Sequence, residues 1–144
     1  MATDPTACLV ERFYAEVWNA WSTEAAMEVL IEDLNFRGSF DDIRAGRAGF
    51  LAYRDEVRAA FPDFVCEIRS MVANGTGDVA ARMRFHGTHH GEFWGVAPTG
   101  RRIDYAGAAF FTNDGNGKIG AIWVLGDLVA VRRQLSMNDR ETER

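Results

Sequence analysis

Cysteine, proline and long apolar runs are all scarce in this chain, and each scarcity excludes something. The two cysteines, Cys8 and Cys66, have neither CxxC nor metal-ligand spacing, so two reduced, buried thiols are expected rather than a disulfide framework or a zinc site. No stretch approaches the roughly 18 apolar residues of a membrane span. The opening Met-Ala-Thr-Asp-Pro lacks the positive and apolar regions of a secretion signal. A basic face is missing too: the net charge is -5, and basic residues cluster only at Arg101-Arg102 and Arg132-Arg133. Phosphate binding needs a concentrated basic surface, so no nucleic-acid partner is expected, and no membrane. A cytoplasmic protein is the reading. With three prolines and no Pro/Gly-rich linker, repeat or low-complexity segment, residues 1–144 are expected to form one domain.

What is present is a globular composition, 47% hydrophobic and 12% aromatic, in a length that buries most of its apolar surface. Over residues 6–21, Val10, Phe13, Val17 and Trp21 fall at helical spacing, with Tyr14 and Trp18 widening the stripe. Ser22 followed by Thr23-Glu24-Ala25 signals a second helix running to about Ile31. A third helix, residues 46–60, carries Phe50, Tyr53 and Val57 before Pro62 stops it.

After Pro62 the period changes from helical to alternating. Residues 64–73 read as a strand, and Asn74-Gly75-Thr76-Gly77 as its turn. Residues 78–89 alternate Val79, Ala81, Met83 and Phe85 against Ala80, Arg82, Arg84 and His86, a half-buried strand. Residues 101–112 and 118–126 form two more, joined by a turn-rich Asn113–Gly117 segment. A short strand at 36–40 is expected between the second and third helices. Helices first and hairpin-linked strands after them make an α+β domain with a curved, mainly antiparallel sheet. Glycines 87, 95, 107, 120 and 126 supply bends for such strands, and a cone with an apolar interior is a natural pocket.

The last strand ends in Gly126-Asp127 and runs into the amphipathic segment 128–135. One carboxylate thus stands near Trp123 and Leu125, where the inner surface of the strand is expected to end. It either caps the following helix or is a titratable group poised for proton transfer.

Seven stretches in order then point to a family: FYAEVWN from Phe13, AAFPDF from Ala59, GTHHGEF from Gly87, PTGR from Pro98, GKI from Gly117, WVLGD from Trp123, and Gln134-Leu135. Over nearly its full length the chain resembles the SnoaL-like polyketide cyclases of the nuclear transport factor 2-like superfold. The resemblance implies a cone-shaped α+β barrel closed by three N-terminal helices, paired through the outer sheet face as a homodimer or higher oligomer. It also implies intramolecular aldol ring closure of an aromatic polyketide ester, without metal or cofactor. The family's acid/base aspartate lies four residues after the tryptophan of the last strand; here that is Asp127, after Trp123. Two departures stand out. Ala121-Ile122 replaces a polar pair before the tryptophan, and Arg37-Gly38-Ser39 lacks a histidine common in that region.

Residue by residue, Asp127 is the catalytic candidate: it would take a proton alpha to a carbonyl and return it to the new alkoxide. Trp123, Tyr14, Trp18, Phe36, Tyr53 and Trp94 are the aromatics expected at the pocket, where flat rings stack on a flat ligand, although each is equally explained as core. Arg37 would hold a carbonyl or oxyanion if it pointed inward; a surface position is the commoner fate of an arginine. His89 is a polar contact to ligand, or else a hydrogen bond fixing the following loop. Asp104 is expected on the outer face, paired with Arg82 or Arg84. The histidines lack partners at metal-site spacing, so no metal or cofactor is expected. The expected partner is a small hydrophobic or aromatic carbonyl compound. Two rival functions stay open, a non-catalytic ligand-binding or dimerisation module and an epoxide hydrolase or dehydratase, because this superfold hosts several activities.

Overall fold

A computed structural model describes residues 3–140, with side chains through residue 136. Asp4 opens the first helix, α1 (Pro5–Arg12), by accepting the Ala7 N–H at 3.1 Å, with proline in the first turn, where its missing N–H costs nothing. The helix continues without a break into a π-helical segment, Phe13–Asn19. Its wider turn buries Phe13, Tyr14, Val17 and Trp18 together, four large side chains on one face. The wide aromatic stripe that predicts one long α-helix is therefore met by a change of helix type. At its end the Asn19 amide donates to the Cys66 carbonyl and accepts the Cys66 N–H, both at 2.9 Å. A side chain thus stands in for a neighbouring strand along the sheet edge.

Ser22 caps α2 (Thr23–Val29) through the Ala25 N–H at 3.0 Å. The helix stops short of Ile31, because β1 begins at Leu30 and runs to Gly38, burying Leu30, Leu34 and Phe36. The short strand expected at 36–40 is thus the end of a nine-residue one. A turn leads to β2 (Asp42–Ala45) and then α3 (Gly46–Ala60), as expected. The remaining strands are β3 (Val65–Ala73), β4 (Asp78–Thr88), β5 (Arg102–Asn113) and β6 (Ile119–Gly126). The final helix is α4 (Leu128–Arg140), with a kink at Ser136.

The strands form one six-stranded sheet in the order β2-β1-β6-β5-β4-β3. It is mixed: β1 and β6 run parallel, and every other pairing is antiparallel. The sheet curls, but its end strands β2 and β3 do not pair, so it is an open cone rather than a closed barrel. Helix α4 packs on β5, so the helical layer is not limited to the three N-terminal helices. Gly107 and Gly126 face each other across β5 and β6. A β-carbon would meet Phe85 Cε2 at 2.5 Å from the first and the Ser39 carbonyl oxygen at 2.7 Å from the second. These two glycines let the curled sheet approach its own contents.

The concave face carries the core: Met83 and Phe85 from β4, Ile103, Tyr105 and Phe111 from β5, and Ile119, Ile122 and Val124 from β6. The convex face carries ion pairs, including Arg84 Nε to Asp104 at 2.6 Å, as expected, and His86 Nε2 to Glu67 at 2.9 Å. Of the two thiols, Cys66 is buried but Cys8 is exposed. Cys8 lies beside the buried Ala7 on the face of α1 turned to solvent.

Candidate functional site

Inside the cone a cavity of about 20 Å³ is walled by Tyr14, Trp18, Phe36, Tyr53 and other aromatics, with Ser39 and Val124 among its lining. That is room for one water, or for one oxygen atom of a ligand. A ring enters only if aromatic side chains turn aside. The rings pack edge to face or tilted: Trp18 on Tyr53 with centroids 6.1 Å apart and Tyr14 on Phe13 at 5.0 Å edge to face, and Phe36 on Tyr53 at 5.1 Å tilted. Four of the aromatics singled out in the sequence, Tyr14, Trp18, Phe36 and Tyr53, thus meet at one place.

Tyr53 also lines a second space, an open groove of about 460 Å³ with Phe40, Asp42, Glu56, Phe93 and Trp94 on its walls. We call this groove the mouth, since Tyr53 is the lining residue it shares with the interior cavity. Phe40 joins mouth to interior, with its ring 4.7 Å from Phe93, 5.8 Å from Trp94 and 5.5 Å from Tyr105. Two of the mouth's carboxylates share one cation, since Arg44 pairs with Asp42 at 2.9 Å and Glu56 at 2.6 Å. Helix α4 overhangs this opening: the Arg132 guanidinium lies 4.9 Å from the Trp94 ring centroid.

The polar groups of the interior are hydroxyls. Ser39 Oγ lies 2.9 Å from the Tyr105 hydroxyl, and the Phe40 N–H donates to the Tyr53 hydroxyl oxygen at 3.4 Å. Burial pushes the ionisation of Tyr14, Tyr53 and Tyr105 upward, so all three stay neutral proton donors at ordinary pH. Burial likewise raises the Cys66 thiol.

Other expected site residues lie elsewhere. Trp123 is on the convex face, 45% exposed, because its neighbours Ile122 and Val124 take the inward phase of β6. Arg37 is also on that face, over the Trp123 ring at 4.8 Å, bonded to the Val124 carbonyl and paired with Asp41 at 2.7 Å. It ties β1 to β6 on the convex face and is not part of the cavity lining. His89 is fully buried, with Nδ1 2.9 Å from the Thr99 hydroxyl and 3.2 Å from the Thr99 N–H. That bond fixes the loop after β4 and uses the histidine structurally. Trp94 stands at the mouth rather than in the interior.

Asp127 is exposed, and its Oδ1 accepts the Ala130 N–H at 3.2 Å as the cap of α4. It does not line the cavity. It does follow Gly126, whose α-carbon packs against Ser39 and the Tyr105 ring, and it starts the helix that overhangs the mouth. The sequence reading missed Ser39, Phe40, Phe93 and Tyr105. Tyr105 carried a signal, the alternation with Ile103 and Asp104; Ser39 and Phe40 carried none, since they sit in an irregular turn.

The sequence pattern of the SnoaL-like polyketide cyclase family matches residues 8–135. The chain belongs to that family. Solved structures agree in fold. IdmH from Streptomyces antibioticus, a candidate polyketide cyclase, is 26% identical with a TM-score of 0.78, over 91% of this chain and 98% of that one. TsrD from Streptomyces laurentii is 22% identical with a TM-score of 0.80, over 94% and 97%. A SnoaL-like polyketide cyclase from Agrobacterium tumefaciens is 22% identical with a TM-score of 0.74, over 94% and 99%. No curated protein matches the chain.

Proposed function

We propose that this SnoaL-like protein binds a small, flat carbonyl compound at the mouth and interior of its cone and closes or isomerises it by proton transfer, without a cofactor. The observation that carries this is that Tyr53 lines both an open groove with aromatic walls and an interior cavity that also has Tyr14 and Ser39 in its lining. The groove is large enough for a ring, and the cavity takes the ligand's oxygen. In this reading Asp127 is the acid/base, removing a proton alpha to the carbonyl and returning it to the new alkoxide. Its support is family membership together with its place beside Gly126 and at the start of α4.

A simple aromatic ketone tests the chemistry before the natural substrate is known. Acetophenone in D₂O should exchange its methyl protons faster with the protein than in buffer. Asp127→Asn should slow that exchange by about a hundredfold or more.

A second reading, a ligand-binding module without catalysis, is favoured by the solvent-exposed, helix-capping Asp127 carboxylate. It is favoured too by the apolar Ala121-Ile122 pair, whose Ile122 is buried in the core. Binding of the ketone with no exchange above buffer would establish it. An epoxide hydrolase or dehydratase would need free carboxylates and a guanidinium around the ligand; the interior lining holds neither among the described residues, and at the mouth Asp42 and Glu56 are engaged with Arg44.

The partner we infer is a second copy of the chain. Phe110, Trp123 and Leu125 are 47%, 45% and 51% exposed on neighbouring strands of the convex face, an apolar patch of the kind that marks an interface. Sedimentation at micromolar concentration should give a dimer, and Trp123→Glu a monomer. A monomeric parent chain would refute the pairing.

A further inference from the structure

One buried side chain outside the cavity has a protonation state that its bonds dictate. His89 is fully buried, and its Nδ1 accepts the Thr99 N–H at 3.2 Å. That nitrogen therefore carries no proton, and the Thr99 hydroxyl, 2.9 Å away, donates to it as well. The hydroxyl oxygen in turn accepts the Arg101 N–H at 3.1 Å. The ring is thus neutral with its proton on Nε2, a buried atom that has no hydrogen-bond partner among the described residues. A second proton goes on Nδ1, where it takes away the acceptor of the Thr99 N–H and faces that donor instead.

The surroundings do not compensate a charged ring. Phe61 packs on it with centroids 5.5 Å apart. Of the charged groups on neighbouring segments, Arg58 of α3 donates to the Pro62 carbonyl, and Asp63 accepts the Thr88 N–H and hydroxyl. Arg101 meets Thr99 and His89 through its backbone, and Glu92 is exposed at the mouth. Burial opposes protonation most strongly, the Gly91 backbone favours it, and His90, next in the chain, opposes it further.

What His89 holds is the loop of residues 90–100. The outgoing limb is tied to the end of α3, where the His90 and Gly91 N–H groups donate to the Ala60 carbonyl at 2.9 and 3.0 Å. The returning limb is tied to His89 itself: Thr99 to the ring, and the Gly100 N–H to the His89 carbonyl at 2.9 Å. Between the limbs stand Phe93 and Trp94, two walls of the mouth. Trp94 has φ +55°, a left-handed backbone that a bulky side chain rarely adopts. The tip of the loop is thus held against its local preference and relaxes when a limb is released.

We infer that His89 is an acid-released latch on the mouth: neutral, it holds the returning limb at Thr99 and so keeps Phe93 and Trp94 in place; protonated on Nδ1, it lets that limb go. The sign follows from linkage. The closed loop requires Nδ1 without a proton, whereas an open loop exposes the ring to water, where it titrates near 6.5. Opening is therefore independent of pH well above 6.5 and rises as pH falls below it, by up to about tenfold between pH 7.5 and 5.5. For ligand binding the consequence rests on the carbonyl-binding reading above: a ketone held at the mouth is released as the medium turns acid.

The test reads the full chain without ligand, by amide hydrogen exchange and by ¹⁵N NMR of the histidine rings. At pH 7.5 the His89 signal should be that of a ring with bare Nδ1 and protonated Nε2. The Thr99 and Gly100 amides, corrected for intrinsic exchange, should open more often than core amides of β5 such as Tyr105 and Phe111. Their opening should rise several-fold, and at most about tenfold, from pH 7.5 to 5.5. In His89→Gln the side-chain carbonyl still accepts the Thr99 N–H but does not titrate, so that rise should vanish. A proton on Nδ1 at pH 7.5, loop protection independent of pH, or loop amides that open only with the core overturns the latch. These readings on the parent chain decide even if His89→Gln fails to fold. Acetophenone that binds at no pH overturns the carbonyl-binding reading alone, since the exchange profile is taken without it.

Discussion

The Asp127 carboxylate accepts the Ala130 N–H at 3.2 Å, so the group proposed above as acid/base is also the N-cap of the last helix. The two roles separate by substitution. Asparagine caps nearly as well as aspartate, whereas alanine loses the bond at a cost of about 1 kcal/mol. Urea unfolding should therefore place Asp127→Asn within about 0.5 kcal/mol of the parent chain and Asp127→Ala about 1 kcal/mol below it. Equal losses in both would mean the carboxylate's charge, not its bond to Ala130, stabilises the helix.

Gly38 is a packing requirement rather than a hinge. Its backbone is ordinary strand, but a β-carbon would stand 2.3 Å from the Tyr53 ring. Gly38→Ala forces that ring away and should cost about 1–3 kcal/mol by overpacking. In a Tyr53→Ala background the same Gly38→Ala change should cost less, because the obstacle is gone. Chemical denaturation of the two variants checks both statements.

His89 gives the fold a pH dependence of known sign. Burial lowers its pKa below the ordinary 6.5, the Gly91 backbone pulls it partly back, and His90 lowers it further. The unfolded chain therefore binds this proton more readily than the folded one. The stabilisation is fully present above about pH 6.5 and is lost as pH falls toward the depressed folded value. Melting temperatures taken from pH 7.5 to 5.5 should fall more steeply for the parent protein than for His89→Gln. Parallel curves would mean His89 titrates alike in both states.

Much of the fold was legible in the sequence because its signals are local. Ser22 acts as a cap, α3 runs from Gly46 to Ala60, and β3 to β6 lie where alternation and turns put them. The failures have physical causes. Leu30 and Ile31 read as the end of a helix and residues 36–40 as a short strand, because Glu32-Asp33 interrupts the apolar residues of β1. Its strand state comes from pairing with β6, a contact about ninety residues away that no local pattern records. The open edge of the sheet is equally non-local.

The site was half legible. Tyr14, Trp18, Phe36 and Tyr53 converge, since each sits on the buried phase of its element. Trp123 does not, because Ile122-Trp123-Val124-Leu125 is apolar on both phases, and alternation then gives no direction. Only the pairing of β6 decides it: Ile122 and Val124 meet the core, while Trp123 meets Arg37 and Phe110. Asp127 was ambiguous for another reason. A helix cap and a base at the end of a strand are written with the same residue in the same place.

The most direct measurement locates a bound ligand. Intermolecular NOEs from acetophenone in molar excess should reach the side chains of Tyr53, Phe40 and Trp94, which line the groove. NOEs confined to Trp123, Phe110 and Leu125 on the convex face would contradict the account, because the ligand would then occupy the surface assigned here to a second copy of the chain.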